Sequence, residues 1–169
     1  MCGITGIYGI ERRDLFPEAC AAVGRMTDAI AHRGPDASGV WMEEDEVVLG
    51  HRRLSIIDTR DVSNQPFIDS VTGDVLVFNG EVYNYRKLRA ELSRSYTFKT
   101  DSDTEVVLAA MQVWGRAALQ EFNGMFAFAY WNQSQRELLI ARDRMGIKPV
   151  YYTQARGAVL FSSEVRSLL

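Results

Sequence analysis

Cys2, directly behind Met1, is the residue of this chain best placed to do chemistry on its own. An initiator methionine is readily trimmed when its neighbour is small, and trimming leaves the Cys2 thiol and a free α-amino group on one residue. The amine has an ordinary pKa of roughly 7.7–8.0 and the thiol one of about 8.5, so proton transfer between them is nearly balanced. An N-terminal amine is one established base for activating a weak nucleophile. Met-Cys also arises by chance, so the reading needs oxyanion donors and a substrate clamp from elsewhere. Asn79-Gly80 offers a side-chain amide beside a backbone N–H at the end of an apolar segment. Read locally, the same dipeptide is a hairpin turn. Arg53 and Asp103 have opposite charges and suit a substrate bearing both a carboxylate, which arginine grips bidentately, and an ammonium. Each has a plainer reading, Arg53 as a surface strand residue and Asp103 as an acid favoured at a helix start. His32 and His51 flank turns, and their spacing favours no Cys–His pairing over packing or turn roles.

These residues have to be positioned by regular elements. Gly3 to Gly9 is short, apolar and β-branched, and reads as a strand running straight from the N-terminus. From Pro17 to Ile30 a helical stripe of Ala19, Cys20, Val23, Met26 and Ile30 predicts a helix with Cys20 in its packing face, ended by Arg33-Gly34-Pro35-Asp36. Strands are expected at Ser38 to Met42 and Glu46 to Leu49, then a strand-like segment from His51 to Asp58 and a polar loop from Thr59 to Gln65. Val75 to Phe78 reads as a buried strand ending at Asn79-Gly80. Tyr85, Leu88 and Leu92 mark a helix with Asn84 as its cap, and Ser102-Asp103-Thr104-Glu105 fits a capping box opening a second. Four short strands follow, at Phe126 to Trp131, Leu138 to Ala141, Val150 to Thr153 and Val159 to Phe161. Strands, then helices, then strands again predict an α+β domain with helices over antiparallel sheets.

Composition narrows the partners. The 169 residues suffice for one domain, and 47% hydrophobic with 24% charged residues is ordinary for a globular chain. A formal charge of −3 without long runs of one sign disfavours nucleic acid and anionic membrane. The longest apolar run, Met125 to Trp131, falls far short of the ~18 residues a membrane span needs. Met1 to Gly9 lacks the basic start and long apolar region of a signal peptide. Cys2 and Cys20 form neither a metal spacing nor a disulfide framework. A reducing cytoplasm is the expected compartment.

Nine ordered segments combine these signals: MCGI at the start, HRGPD at 32–36, HRRLSIID at 51–58, QPF at 65–67, NGEVYNY at 79–85, TDSDTEV at 100–106, NGMFAF at 123–128, RDRMGIKPVYY at 142–152 and FSSEVRSLL at 161–169. Together they resemble, from end to end, the glutaminase domain of glutamine-hydrolysing asparagine synthetases, a branch of the class II glutamine amidotransferases. The resemblance implies an N-terminal-nucleophile hydrolase fold, a four-layer αββα sandwich of two antiparallel sheets. It implies Cys2 as nucleophile with its own amine as base, and Asn79 and Gly80 as the oxyanion hole. Arg53 would bind the glutamine α-carboxylate, Asp103 with the Glu81 region its α-ammonium, and main chain along Leu54, Ser55, Ile56 and Ile57 would line the pocket.

The same resemblance implies hydrolysis of L-glutamine to glutamate and ammonia over a single domain, residues 1–169. The ATP-dependent synthetase domain of the family is absent from this sequence, which carries no phosphate-binding glycine loop. No cofactor or metal is expected here, ATP and magnesium belonging to a synthetase domain supplied in cis or in trans. The acceptor of the ammonia and a homodimer stay open. The alternative from another class is a non-catalytic glutaminase-like domain that docks a synthetase or senses glutamine.

Overall fold

The computed structural model describes residues 1–10 and 13–169. Its layers follow from the two-residue alternation of strands. In the middle of the chain β5 (Val75–Val82) pairs antiparallel with β6 (Gly124–Asn132), from Val75 opposite Trp131 to Val82 opposite Gly124. Val75, Val77, Ala127, Ala129 and Trp131 pack on one face of this pair; Leu76, Phe78, Val82, Phe126, Phe128 and Tyr130 pack on the other. With β4 (Phe67–Ile68) and β7 (Glu137–Arg142) they form a sheet in the order β4-β5-β6-β7. A five-stranded sheet lies against its first face, in the order β2-β3-β1-β9-β8. It is built from β1 (Gly3–Tyr8), β2 (Ala37–Glu43), β3 (Val47–Arg53), β8 (Tyr151–Ala155) and β9 (Ala158–Ser162). Every pairing in both sheets is antiparallel.

Helices cover the outer faces. Helix α1 (Phe16–Ala29) packs Ala19, Val23 and Met26 against Ile7 and Val48 of the first sheet. On the second, α2 (Tyr85–Leu92) and α3 (Asp103–Trp114) bury Leu88, Leu92, Val107 and Leu108 over the Phe126 and Phe128 rings, with the short α4 (Ala118–Glu121) beside them. The expected αββα sandwich is thus present, with an apolar layer between the sheets and one under each helical layer.

Several local expectations need correction. Asn79-Gly80 is not a turn: β5 runs on to Val82, because Asn79 and Gly80 pair with Ala127 and Phe126 of β6. A Cβ on Gly80 would overlap Met125 O and lie 2.7 Å from the Phe126 Cα, so the glycine answers to the neighbouring strand. His51 is no turn residue either. The segments expected at Glu46 to Leu49 and His51 to Asp58 are one strand, β3, with His51 fully buried and residues 54–66 outside it. Asn84 makes no side-chain cap to α2; its amide instead donates to Glu121 O and accepts from Asn123 N. Ser102 caps α3 by accepting from Glu105 N at 3.2 Å. The Glu105 carboxylate does not return to the cap and holds the Lys99 and Thr100 amides. Cys20 is half-buried beside the α1 core, its Sγ 3.8 Å from Met42 Sδ.

Helix α1 sits close on the first sheet because β3 carries Gly50 beneath it. A Cβ there would overlap Thr27 Oγ1 and lie 2.5 Å from Thr5 Oγ1, two buried hydroxyls bonded to each other at 2.9 Å. Both neighbours are β-branched and stiff at χ1. Gly50→Ala should therefore destabilise the protein by about 1–3 kcal/mol, the ordinary cost of overpacking. A lowered urea midpoint at unchanged slope checks this; an unchanged midpoint would mean the layers are looser than described.

Candidate functional site

The inner faces of the two sheets turn polar at one end. Along β3 the residues facing the second sheet run Val47, Leu49, His51, Arg53; along β5 the facing residues run Val75, Val77, Asn79. Ile4 of β1 belongs to the same apolar layer, and Cys2 is the next residue of that parity. Where the apolar layer ends, Cys2, Arg53, Asn79, Gly80 and Asp103 line one cavity, together with Leu54, Ile56, Ile57, Glu81 and Lys148. Ser55 is in the same loop but is not part of the lining; its N–H donates to Asp36 Oδ2 at 2.7 Å. The structure thus brings together residues from five separate stretches of chain.

The Cys2 thiol meets both backbone groups of one residue, Leu54. The thiol donates to Leu54 O at 3.6 Å, and Leu54 N–H reaches Sγ at 3.4 Å, so either protonation state finds a partner. Burial raises the thiol pKa, partly offset by the Leu54 N–H, the N-terminal ammonium and the Arg53 guanidinium; the Asp103 carboxylate adds to the rise. Such a thiol requires a base. Its backbone is equally fixed. Arg33 Nε donates to Cys2 O at 2.9 Å while its Nη1 pairs with Glu164 Oε1 at 3.2 Å, and Ser163 Oγ accepts from Ile4 N at 3.0 Å. Lys148, buried, donates to Met1 Sδ at 3.2 Å.

The oxyanion side comes from the free edge of β5. β4 pairs only with Val75 and Leu76, so the outward amides farther along β5 need other partners. Gln65 Oε1 accepts from Phe78 N at 2.6 Å, and Asp103 Oδ2 accepts from Val82 N at 3.1 Å. Gly80 stands between them. Its partner Phe126 turns both backbone groups to Asp143, so the antiparallel alternation points the Gly80 N–H away from β6, along the edge that borders the cavity. Asn79 lines the same cavity, and its side-chain Nδ2 is buried without a hydrogen-bond partner. A buried unsatisfied donor is costly, and natural proteins keep few of them.

Arg53 is 5% exposed, and its guanidinium organises the loop that follows it. It donates to Arg60 O at 3.2 Å, to Asn64 Oδ1 at 2.7 Å and to Asp58 O. These three bonds leave part of the guanidinium fork, which has five donors, for a carboxylate. Asp58, its carboxyl held well below the usual range by Arg60, ties the loop to Asp101 N, two residues before Asp103. Asp103 itself is pushed up to about 6, chiefly by burial; its bond from Val82 N–H opposes the shift and the nearby Glu81 charge adds to it.

Sequence reasoning gave no role to Arg33, Glu164, Gln65 or Asp36, although all four lie in segments quoted for the resemblance. The usable signal was their grouping into short motifs; their partners are from 13 to 131 residues distant, beyond any local pattern. Among the described residues no cluster of three His, Cys, Asp or Glu side chains is arranged to hold a metal.

Two antiparallel sheets stacked between helical layers, with a cysteine heading an inner strand, is the architecture of the N-terminal-nucleophile hydrolases. A family profile described as a glutamine amidotransferase domain matches residues 1–169, and the chain belongs to that family. It is 40% identical over 172 residues to asparagine synthetase [glutamine-hydrolyzing] 3 of Bacillus subtilis (strain 168), covering 100% of this chain and 27% of that protein. It is 43% identical over 177 residues to amidase chry2 of Gibberella zeae, covering 100% of this chain and 26% of that protein. The chain thus spans about a quarter of the length of these relatives. Among solved structures, the glutamine phosphoribosylpyrophosphate amidotransferase of B. subtilis superposes with a TM-score of 0.81 at 21% identity, over 99% of this chain and 43% of that one, which shows the shared fold.

The raised Asp103 pKa carries a stability consequence. The fold binds this proton more tightly than the unfolded chain, so Asp103 costs least below about pH 4 and its full penalty is present above about pH 6. Asp103→Asn should be more stable than the parent at pH 7, by roughly 2–3 kcal/mol for a shift of this size. The gap should shrink as pH falls to 4. Equal gaps at both values in urea titrations would refute the assignment.

Proposed function

We propose that this chain hydrolyses L-glutamine to L-glutamate and ammonia through a thioester on Cys2. Membership of the family supports the reaction class, and one observation carries the site assignment: Asn79, which lines the cavity together with Cys2, has a buried Nδ2 without a hydrogen-bond partner. Arg53 receives the substrate's α-carboxylate with its remaining donors, and Asp103, with Glu81 beside it, receives the α-ammonium. Main chain of the Leu54–Ile57 loop borders the side chain between them. The substrate amide is then directed at Sγ.

Once Met1 is removed, the α-amine of Cys2 takes the thiol proton, and the thiolate adds to the amide carbon. The carbonyl oxygen becomes an oxyanion, to which Asn79 Nδ2–H and Gly80 N–H donate. The protonated amine returns its proton to the departing nitrogen, ammonia leaves, and water activated by the same amine hydrolyses the thioester. Arg33 and Glu164 keep the Cys2 backbone in place throughout. The ammonia passes to an ATP- and magnesium-dependent amidating domain of the asparagine-synthetase type, joined in cis or docked in trans in the cytoplasm. The names of the relatives support this destination, and the second of those compared leaves the acceptor carboxylate unassigned.

An intact mass with ammonia release, measured on one preparation, tests the mechanism. Trimmed protein should release ammonia from glutamine. Cys2→Ala should not, and neither should protein with an uncleaved extension ahead of Cys2, although its thiol survives. Full activity in a chain whose mass shows a blocked N-terminus would remove the amine from the mechanism.

Asn79→Ala separates an oxyanion donor from a framework residue. Loss of one such donor costs about 10²–10³ in rate. We expect kcat to fall by that factor with KM nearly unchanged, because the charge develops only in the transition state. A folded variant that turns over within about threefold of the parent would leave Gly80 N–H as the donor.

A further inference from the structure

We propose that His51 is a positioning residue for the oxyanion strand: its Nε2–H, donated across the inter-sheet layer to the Phe78 carbonyl, fixes the peptide from which Asn79 and Gly80 are presented to the cavity. The inference rests on the proposed glutaminase reading for its kinetic consequence, and on geometry for the rest.

His51 is fully buried in the inner face of β3, with Ile4 and Gly39 as its lateral neighbours and two residues before Arg53. Its Nε2 lies 3.1 Å from Phe78 O, in the other sheet. A carbonyl only accepts, so the ring must carry its proton on Nε2, and Nδ1 is left buried without a partner. Burial holds the imidazole neutral, its pKa down to about 3, and the Arg53 charge acts in the same direction; only the Phe78 carbonyl opposes. The tie is therefore constant across the working pH range.

Its placement explains why an imidazole is kept here. Beyond the two pairs made by β4, no strand among the described residues holds the outer edge of β5. At Phe78 that role falls to side chains: Gln65 takes the N–H at 2.6 Å, and His51 gives to the C=O at 3.1 Å. The Phe78 carbonyl belongs to the peptide that begins Asn79. Holding both groups of Phe78 fixes the rotation of the chain just before the two proposed donors. The same bond connects the strand bearing Arg53, which also pairs with the strand headed by Cys2, to the strand bearing Asn79. An apolar residue would fill this buried site without leaving a nitrogen unpaired, so the polar ring is retained for what its donor holds.

The test uses trimmed parent protein, His51→Leu, which keeps bulk and loses the donor, and His51→Gln, whose terminal amide can reach a similar position. In parent protein, nitrogen NMR should show a neutral Nε2–H tautomer from pH 5 to 8; an Nδ1–H tautomer would overturn the proposal without any variant. His51→Leu should shift the Asn79 side-chain and Gly80 amide signals, speed Gly80 hydrogen exchange, and lower kcat about tenfold or more with KM within about threefold. His51→Gln should restore most of both. Parent-like Asn79 and Gly80 signals in folded His51→Leu, or losses in the two variants that follow melting temperature alone, would overturn the proposal. If the parent releases no ammonia, the glutaminase reading fails, while the tautomer and the Gly80 signals still decide whether His51 positions this strand.

Discussion

Two sheets stacked face to face bring only every second residue of a strand to the layer between them, and the cavity depends on that parity. Cys2 follows Ile4 inward, Arg53 follows His51 and Leu49, and Asn79 follows Val77. A slip of one residue in any of these strands would carry its polar group to an outer face and an apolar one into the cavity. Long ladders guard against this: β1 is in register with β3 over Gly3–Tyr8, and β5 with β6 over Val75–Val82. The packing that stabilises the sandwich is therefore also what aligns the cavity.

The same economy leaves parts of the cavity unsatisfied. Asn79 Nδ2 and His51 Nδ1 are buried without partners, and Asp103 is a buried carboxyl raised to about 6. Each would be better served, for stability alone, by a different residue. Such departures concentrate where groups are arranged for a ligand. Their surroundings are tightly tied by comparison: Arg33 joins Cys2 to Glu164, Gln65 joins Phe78 to Thr104, and Glu105 ties the Lys99–Thr100 turn to α3.

Much of this was legible in the sequence, for identifiable reasons. Helices α1 and α3 announced themselves through periodic apolar stripes and, for α3, through Ser102, because those signals are local. The four late strands were found by their short apolar character. The failures came where tertiary pairing overrides local preference. Asn79-Gly80 has the composition of a turn, yet β6 draws both residues into a strand. Two segments, Glu46 to Leu49 and His51 to Asp58, are expected where the structure has one strand running through Gly50, the glycine that makes room for Thr5 and Thr27. Arg33 could not be assigned a partner, since a backbone carbonyl at Cys2 leaves no trace in residue identities. Local pattern offered Cys2, Arg53, Asn79, Gly80 and Asp103 only as candidates beside plainer readings, and their proposed roles toward glutamine come from the ordered motifs.

Arg53 belongs to two structures at once. Three of its hydrogen bonds go to Asp58, Arg60 and Asn64, the far side of the loop that begins at Leu54. In its proposed role the rest of its fork grips the substrate. Order in that loop and occupancy of the cavity are then linked equilibria, with one guanidinium as the shared variable. An arriving carboxylate meets an arginine already oriented by the loop, and so loses less rotamer entropy on binding. Conversely, a change at Asn64, which lies outside the cavity lining, would register as a change in affinity. The far side of the loop is in this sense part of the ligand site without lining the cavity, and selection on binding would act on Asn64 through its bond with Arg53.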